Sequence, residues 1–164
     1  MSWTLSINYF LHLIATVILL GSLAGVVLFA LPALRKGEIG QNQWLNLQKR
    51  LVPWTNASLV ILLLTGFFQM TNDPNYAGFL VFDGVWAWAM LLKHVAYAGM
   101  IAISFWLQFS LYPQVDRLEL LIAKQPDLAQ AEKEKLLARE SNLLWINFGC
   151  ALLVLLFTAI MTAV

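Results

Sequence analysis

The sequence has two histidines, His12 and His94, and both stand inside long apolar runs, with Lys93 directly before the second. A neutral imidazole can sit in an apolar medium and ligate a metal through either ring nitrogen. Ionisable residues inside a membrane segment are functional candidates by default, because burying them there is expensive. His12 precedes Pro32 by 20 residues and His94 precedes Pro113 by 19, so the two occupy nearly the same place in two similar segments. Each lies about 10 Å from the start of its helix, at a rise of about 1.5 Å per residue. Two facing imidazoles in a helical bundle suit the axial positions of a b-type haem. The spacing therefore points to one metal centre held by His12 and His94. The other reading is that each imidazole hydrogen-bonds a neighbouring helix. Lys93 either snorkels to the interface on its long stem or meets an anion such as a haem propionate, and His12/Lys93 ligation stays open beside His12/His94. Met70, Met90, Met100 and Met161 are soft donors suited to copper, or packing residues.

The elements that must position these groups follow from where charge is missing. Asp, Glu, Lys and Arg are absent from 1–34, 51–72, 94–115 and 141–164. A bilayer core needs roughly 20 apolar residues as helix, so each stretch predicts one span: near Leu5–Leu31, Val52–Met70, Trp86–Tyr112 and Leu143–Ala163. The expected fold is an all-α transmembrane four-helix bundle, one domain over 1–164. The first span is too long for a cleavable signal and no Lys or Arg precedes it. A single cysteine, Cys150, excludes a disulfide framework or a CxxC zinc site within one chain. A net charge of +1 gives no reason to expect nucleic acid as a partner. The lipid bilayer is the expected surrounding, with a membrane-protein partner or a second copy of the chain.

Loop charges orient the spans. Arg35, Lys36, Lys49 and Arg50 follow span one, and Arg117, Lys124, Lys133, Lys135 and Arg139 follow span three. The loop after span two holds Asp73 and Asp83 and no Lys or Arg. Basic loops stay in the cytoplasm, which predicts a multi-pass protein of the inner or plasma membrane with both termini on the non-cytoplasmic side. Trp3, Tyr9, Tyr76, Trp86 and Trp88 would form the outer aromatic belt, and Trp44, Trp54, Trp106, Tyr112 and Trp145 the inner one. Gln125-Pro126-Asp127 should interrupt the long basic loop, with Asp127 capping a following amphipathic helix. The apolar run Tyr76 to Trp88 would cover the outer end of the bundle.

The halves echo each other. Span one ends Phe29-Ala30-Leu31-Pro32 and span three Ser110-Leu111-Tyr112-Pro113, while Trp54-Thr55-Asn56 and Trp145-Ile146-Asn147 open spans two and four. Two repeated hairpins would be related by an axis along the membrane normal. Gly21, Gly25 and Gly99 would allow close approach of helices or of a flat macrocycle.

Phe10-Leu11-His12-Leu13 followed by Gly21, with the ending Ala30-Leu31-Pro32-Ala33-Leu34-Arg35, resembles the first span of copper-resistance D (CopD) domain proteins. Leu91-Leu92-Lys93-His94, ending Leu111-Tyr112-Pro113, is similar to their later Lys-containing span. The resemblance covers essentially the whole chain. It implies an association with copper. Through a related branch, the HemJ-type protoporphyrinogen oxidases, it implies haem b, with His12 and Lys93 at positions that matter; His94, directly after the lysine, departs from that branch.

These observations lead to a haem-b-binding membrane protein, acting in electron transfer or as a small subunit of a redox complex. A copper binder or transporter and a purely structural subunit are the alternatives. No catalytic residue is assigned.

Overall fold

A computed structural model describes residues 3–76, 78, 83–115, 117 and 126–164, with backbone alone for 41, 126–131 and 133. It is a bundle of four helices: α1 (Trp3–Arg35), α2 (Gln41–Thr71), α3 (Gly84–Val115) and α4 (Pro126–Ala163). All four contain stretches long and apolar enough to cross a membrane. In lipid the backbone must satisfy its own hydrogen bonds, and a helix does this within one segment. Large apolar side chains stay exposed around the bundle, Trp3, Phe29, Leu64 and Phe109 among them. A soluble monomer rarely shows so much contiguous apolar surface; this is a multi-pass membrane protein.

The helices run past the predicted spans at the end that carries the basic residues, here the basic end; the opposite end holds both termini. α4 has 38 residues, about 57 Å at 1.5 Å per residue, against a hydrocarbon core of about 30 Å. α2 starts eleven residues before Val52 and continues through Pro53. The extra turns persist because one face is buried: Trp44 and Leu45 pack with Leu111, Val115 and Leu144, while Lys49 and Arg50 stay exposed. Pro126 and Asp127 already belong to α4, so Asp127 lies in its first turn rather than before it. Gln125, Lys124 and most of the 77–82 run, with the cover it was expected to form, lie outside the described residues.

α1 ends in a Schellman turn. Gly37 has φ +74°, its N–H donates to Leu34 O at 3.1 Å, and the Glu38 N–H donates to Ala33 O at 2.9 Å. A residue with a Cβ is disfavoured in that left-handed conformation. A five-residue link, 36–40, leads to α2, where Gln43 Oε1 accepts from the Gly40 N–H at 3.1 Å.

α1 packs along α2 and α3 along α4, and α4 also touches α1. The two hairpins share an unforeseen feature. Gly25–Ala30 before Pro32, and Leu107–Leu111 before Pro113, are π-helical. Proline lacks an N–H and its ring crowds the carbonyl four residues back; widening the helix there relieves the crowding, and such π-turns often mark functional sites.

Three layers of core fill the bundle. Val27, Leu31, Trp44, Leu107 and Leu111 lie at the basic end, Leu19, Leu23, Leu59 and Met100 in the middle, and Met70, Trp86 and Met90 at the terminal end. Trp44 and Trp86 are therefore core residues and not part of an aromatic belt, whereas Trp3, Trp54, Trp88, Trp106 and Trp145 are exposed as a belt requires. Gly21 and Gly25 face open space, contrary to their expected packing role; Gly99 lies against Cys150, where a Cβ would stand 3.7 Å from Sγ.

Candidate cofactor site

A cavity of about 310 Å³ opens between the four helices in the terminal half of the bundle. It lies at the lower end of the 300–1,000 Å³ typical of ligand sites. His12 and Thr16 line it from α1, Gly66 from α2, and Lys93, His94 and Tyr97 from α3. The three residues singled out from the sequence thus share one cavity. Their burial differs: His12 and Lys93 are half-buried, and His94 is exposed.

Repeat geometry accounts for that difference. Superposing Pro32 on Pro113 shifts the sequence by 81, which pairs His12 with Lys93 and leaves His94 one residue further on. One residue is about 100° around a helix of 3.6 residues per turn. Lys93 therefore takes the position in α3 that His12 takes in α1, and both are half-buried in the cavity wall. His94 sits at the rim.

Hydrogen bonds set the tautomer of both rings. His12 Nδ1 lies 2.8 Å from Thr65 Oγ1. The single Thr65 hydroxyl hydrogen is donated to Ile61 O at 2.6 Å, so the His12 Nδ1–H is the donor of the pair. His94 Nδ1 lies 2.7 Å from Met90 O, and a carbonyl only accepts. Each imidazole thus carries its proton on Nδ1 and leaves the Nε2 lone pair bare. Histidines that ligate metals nearly always have the other N–H anchored in this way.

The surrounding bonds hold the helices at fixed rotation. Gln69 Nε2 donates to Asn8 Oδ1 at 3.1 Å, and the Tyr97 hydroxyl donates to Leu59 O. A Cβ at Gly66 would stand 3.5 Å from His12 Cε1, so glycine lets α2 pass close to the ring. Met70, Met100 and Met161 also line the cavity; Met90 is buried beside Met70 and Trp86.

Among the described residues no three His, Cys, Asp or Glu side chains come together as a metal site. The cavity offers two imidazoles, one ammonium group and, from just beyond the end of α2, the Asp73 carboxylate, within largely apolar walls that also carry the Thr16 and Tyr97 hydroxyls. These suit a ligand with a metal centre, an apolar body and an anionic edge, as a haem has. No family model, curated protein or solved structure matches the chain.

Sequence reading missed the anchors. Thr65 was not assigned to the site, and its bond to His12 spans 53 residues. Glu140 drew no notice, yet it is buried, and both its oxygens accept from Trp44 Nε1 at 3.2 Å. A carboxylate just before an apolar run, facing a tryptophan in another charged loop, was the available signal.

Proposed function

We propose that this protein binds haem b in the terminal-half cavity, serving electron transfer or acting as a small subunit of a membrane redox complex. One observation carries the reading: two imidazoles with anchored Nδ1–H groups and bare Nε2 atoms line the same apolar cavity as Lys93. The resemblance of the His12 and Lys93 segments to CopD-domain proteins points the same way. When bound, haem supplies one-electron redox chemistry at its iron.

The chain's own residues would do the rest. His12 and His94 would hold the iron in this reading, with Thr65 and the Met90 carbonyl fixing their rings. Lys93 offers an ammonium to a propionate. Leu62, Leu63 and Val154 supply apolar wall. The basic end faces the cytoplasm in this proposal, since nine of the ten Lys and Arg residues lie in the two loops there. A cysteine at Asn75, in a Cys150→Ala background, should react with an impermeant thiol reagent added outside cells, and one at Gln130 should not.

The test of cofactor binding is a visible spectrum of protein purified after expression with haem supplied. A Soret band that shifts with dithionite is expected; its absence sinks the proposal. Copper is the second reading, favoured by Met70, Met100 and Met161 lining the cavity with His12. Copper content that depends on His12, without a Soret band, would establish it instead.

A further inference from the structure

A second cavity lies in the basic half and is built on opposite terms. It measures about 40 Å³, and Ser22, Gln48, Thr55, Gln108, Tyr112 and Asn147 provide its polar wall. A buried water needs roughly 10–15 Å³ of such volume and two to four polar partners, so there is room for one water and up to about two more. Gln48 is 5% exposed and Asn147 4%. Gln48 Nε2 and Asn147 Oδ1 have no partner among the described residues. One is a donor and the other an acceptor, and burying either unpaired is unfavourable. A water between them satisfies both.

The repeat shows why Asn147 is left over. Its counterpart in the first hairpin is Asn56, two residues after Trp54 as Asn147 is two after Trp145. Asn56 and Gln108 exchange two hydrogen bonds of 2.9 Å across α2 and α3. The 81-residue shift that pairs the prolines puts Val27 where Gln108 would be needed for Asn147. Val27 is fully buried and apolar.

Glu140 stands two turns from Asn147 along α4, and Trp44 one turn from Gln48 along α2. The carboxylate is 1% exposed, and among the described residues it is held by the Trp44 indole. It forms no ion pair among the described residues. Nearby charges are committed elsewhere: Arg35 of α1 donates to Ser141 Oγ at 2.6 Å, and Arg139 stacks on Trp106 at 5.3 Å. Lys49 and Arg50 of α2 are exposed. From α3, Tyr112 packs against the core that holds Trp44 and Leu144, and both Tyr112 and Leu144, the latter one turn from Glu140, line the cavity. A buried carboxylate without a counter-cation is a costly ion, and here a polar cavity opens one turn away.

We propose that the cavity and Glu140 together form a hydrated proton-binding site. Water held between Gln48 and Asn147 supplies the proton that the Glu140 carboxylate binds. A hydronium loses one O–H bond and the carboxylate gains one. No electron moves, and water is the only co-reactant. The site does not depend on any cofactor in the other cavity.

Difference infrared spectroscopy of the full chain in lipid nanodiscs, between pH values and in H2O and D2O, tests this. A protonated-carboxyl C=O band should grow as pH falls, shift in D2O and be missing in Glu140→Gln. Asn147→Leu should keep the band but slow its D2O shift by about tenfold or more. A band unchanged in Glu140→Gln, or a D2O shift equally fast in Asn147→Leu, overturns the proposal. Should Glu140→Gln fail to fold, Trp44→Phe takes its place: it removes the indole N–H from both oxygens and should move the band's frequency and midpoint. Neither moving would also overturn the site.

Discussion

The two hairpins are alike in backbone and unlike in chemistry. Each is an α-helix that widens to a π-turn before a proline and returns through a helix opening with tryptophan and asparagine. Within that shared frame the polar groups do not repeat. His12 stands opposite Lys93, and Val27 opposite Gln108. Each mismatch has a cavity beside it. At the terminal end, an imidazole and an ammonium replace what would have been a matched pair, and both line the larger cavity. At the basic end, the missing glutamine leaves Asn147 Oδ1 without a partner among the described residues. Symmetry supplies a scaffold by repeating a packing solution, and the two candidate sites lie where the repeat is broken.

The sharpest way to break this comparison is to remove the two imidazoles of the larger cavity. His12→Ala should abolish most cofactor binding, and adding His94→Ala should cost little more, because ligands of one centre act as a unit. Lys93→Met should retain the cofactor if the ammonium meets a propionate, and lose it if lysine is itself an axial ligand. Pyridine haemochrome quantitation of the purified variants distinguishes these outcomes. Equal and additive losses at His12 and His94 would show two independent histidines.

Thr65→Val comes next in size. It keeps the shape of the side chain but removes the acceptor of the His12 Nδ1–H. Second-shell partners of this kind are typically worth about 10–100-fold in metal affinity, and haem titration should show a weakening in that range. An unchanged affinity would mean that the ring is held by packing alone.

The basic end offers a paired test. Asn56→Leu strips Gln108 of its reciprocal partner and should destabilise the bundle by about 1–3 kcal/mol, the cost of an unsatisfied buried amide. Asn147→Leu removes a group that already lacks a protein partner and should cost less. Reversible unfolding in mixed micelles measures both, and equal losses would erase the distinction between the hairpins.

Gly66→Ala is the smallest effect. The added Cβ meets His12 Cε1 at 3.5 Å, an ordinary contact, and alanine favours helix by about 1 kcal/mol. Thermal stability should stay level or rise slightly with cofactor binding intact. A large loss would show that α2 and α1 have no slack at this crossing.

Much of this was legible before any fold was known, and the failures are specific. The four spans were found because each is a charge-free run. Their ends were placed short because the amphipathic turns at 41–51 look like ordinary charged loop, and because the amphipathic helix expected after Asp127 was not joined to the fourth span. Only packing of Trp44 against α4 shows that they continue as helix. The π-turns were not read, although each precedes a proline. Trp44 and Trp86 were taken for interface residues because tryptophan is common there; each is buried by neighbours from distant segments.

By itself the sequence determined the number of helices, their placement along the chain and the pairing of charge with one end. These are one-dimensional properties: a membrane helix satisfies its own backbone, so an apolar run of sufficient length is enough to specify it. Only the tertiary structure decided which polar atoms meet. The His12–Thr65, Asn56–Gln108 and Trp44–Glu140 bonds span 53, 52 and 96 residues. Each depends on how far a helix is turned about its own axis. In an apolar surrounding hydrophobicity sets that rotation only weakly, because lipid welcomes every face, and side-chain packing with a few interhelical hydrogen bonds settles it.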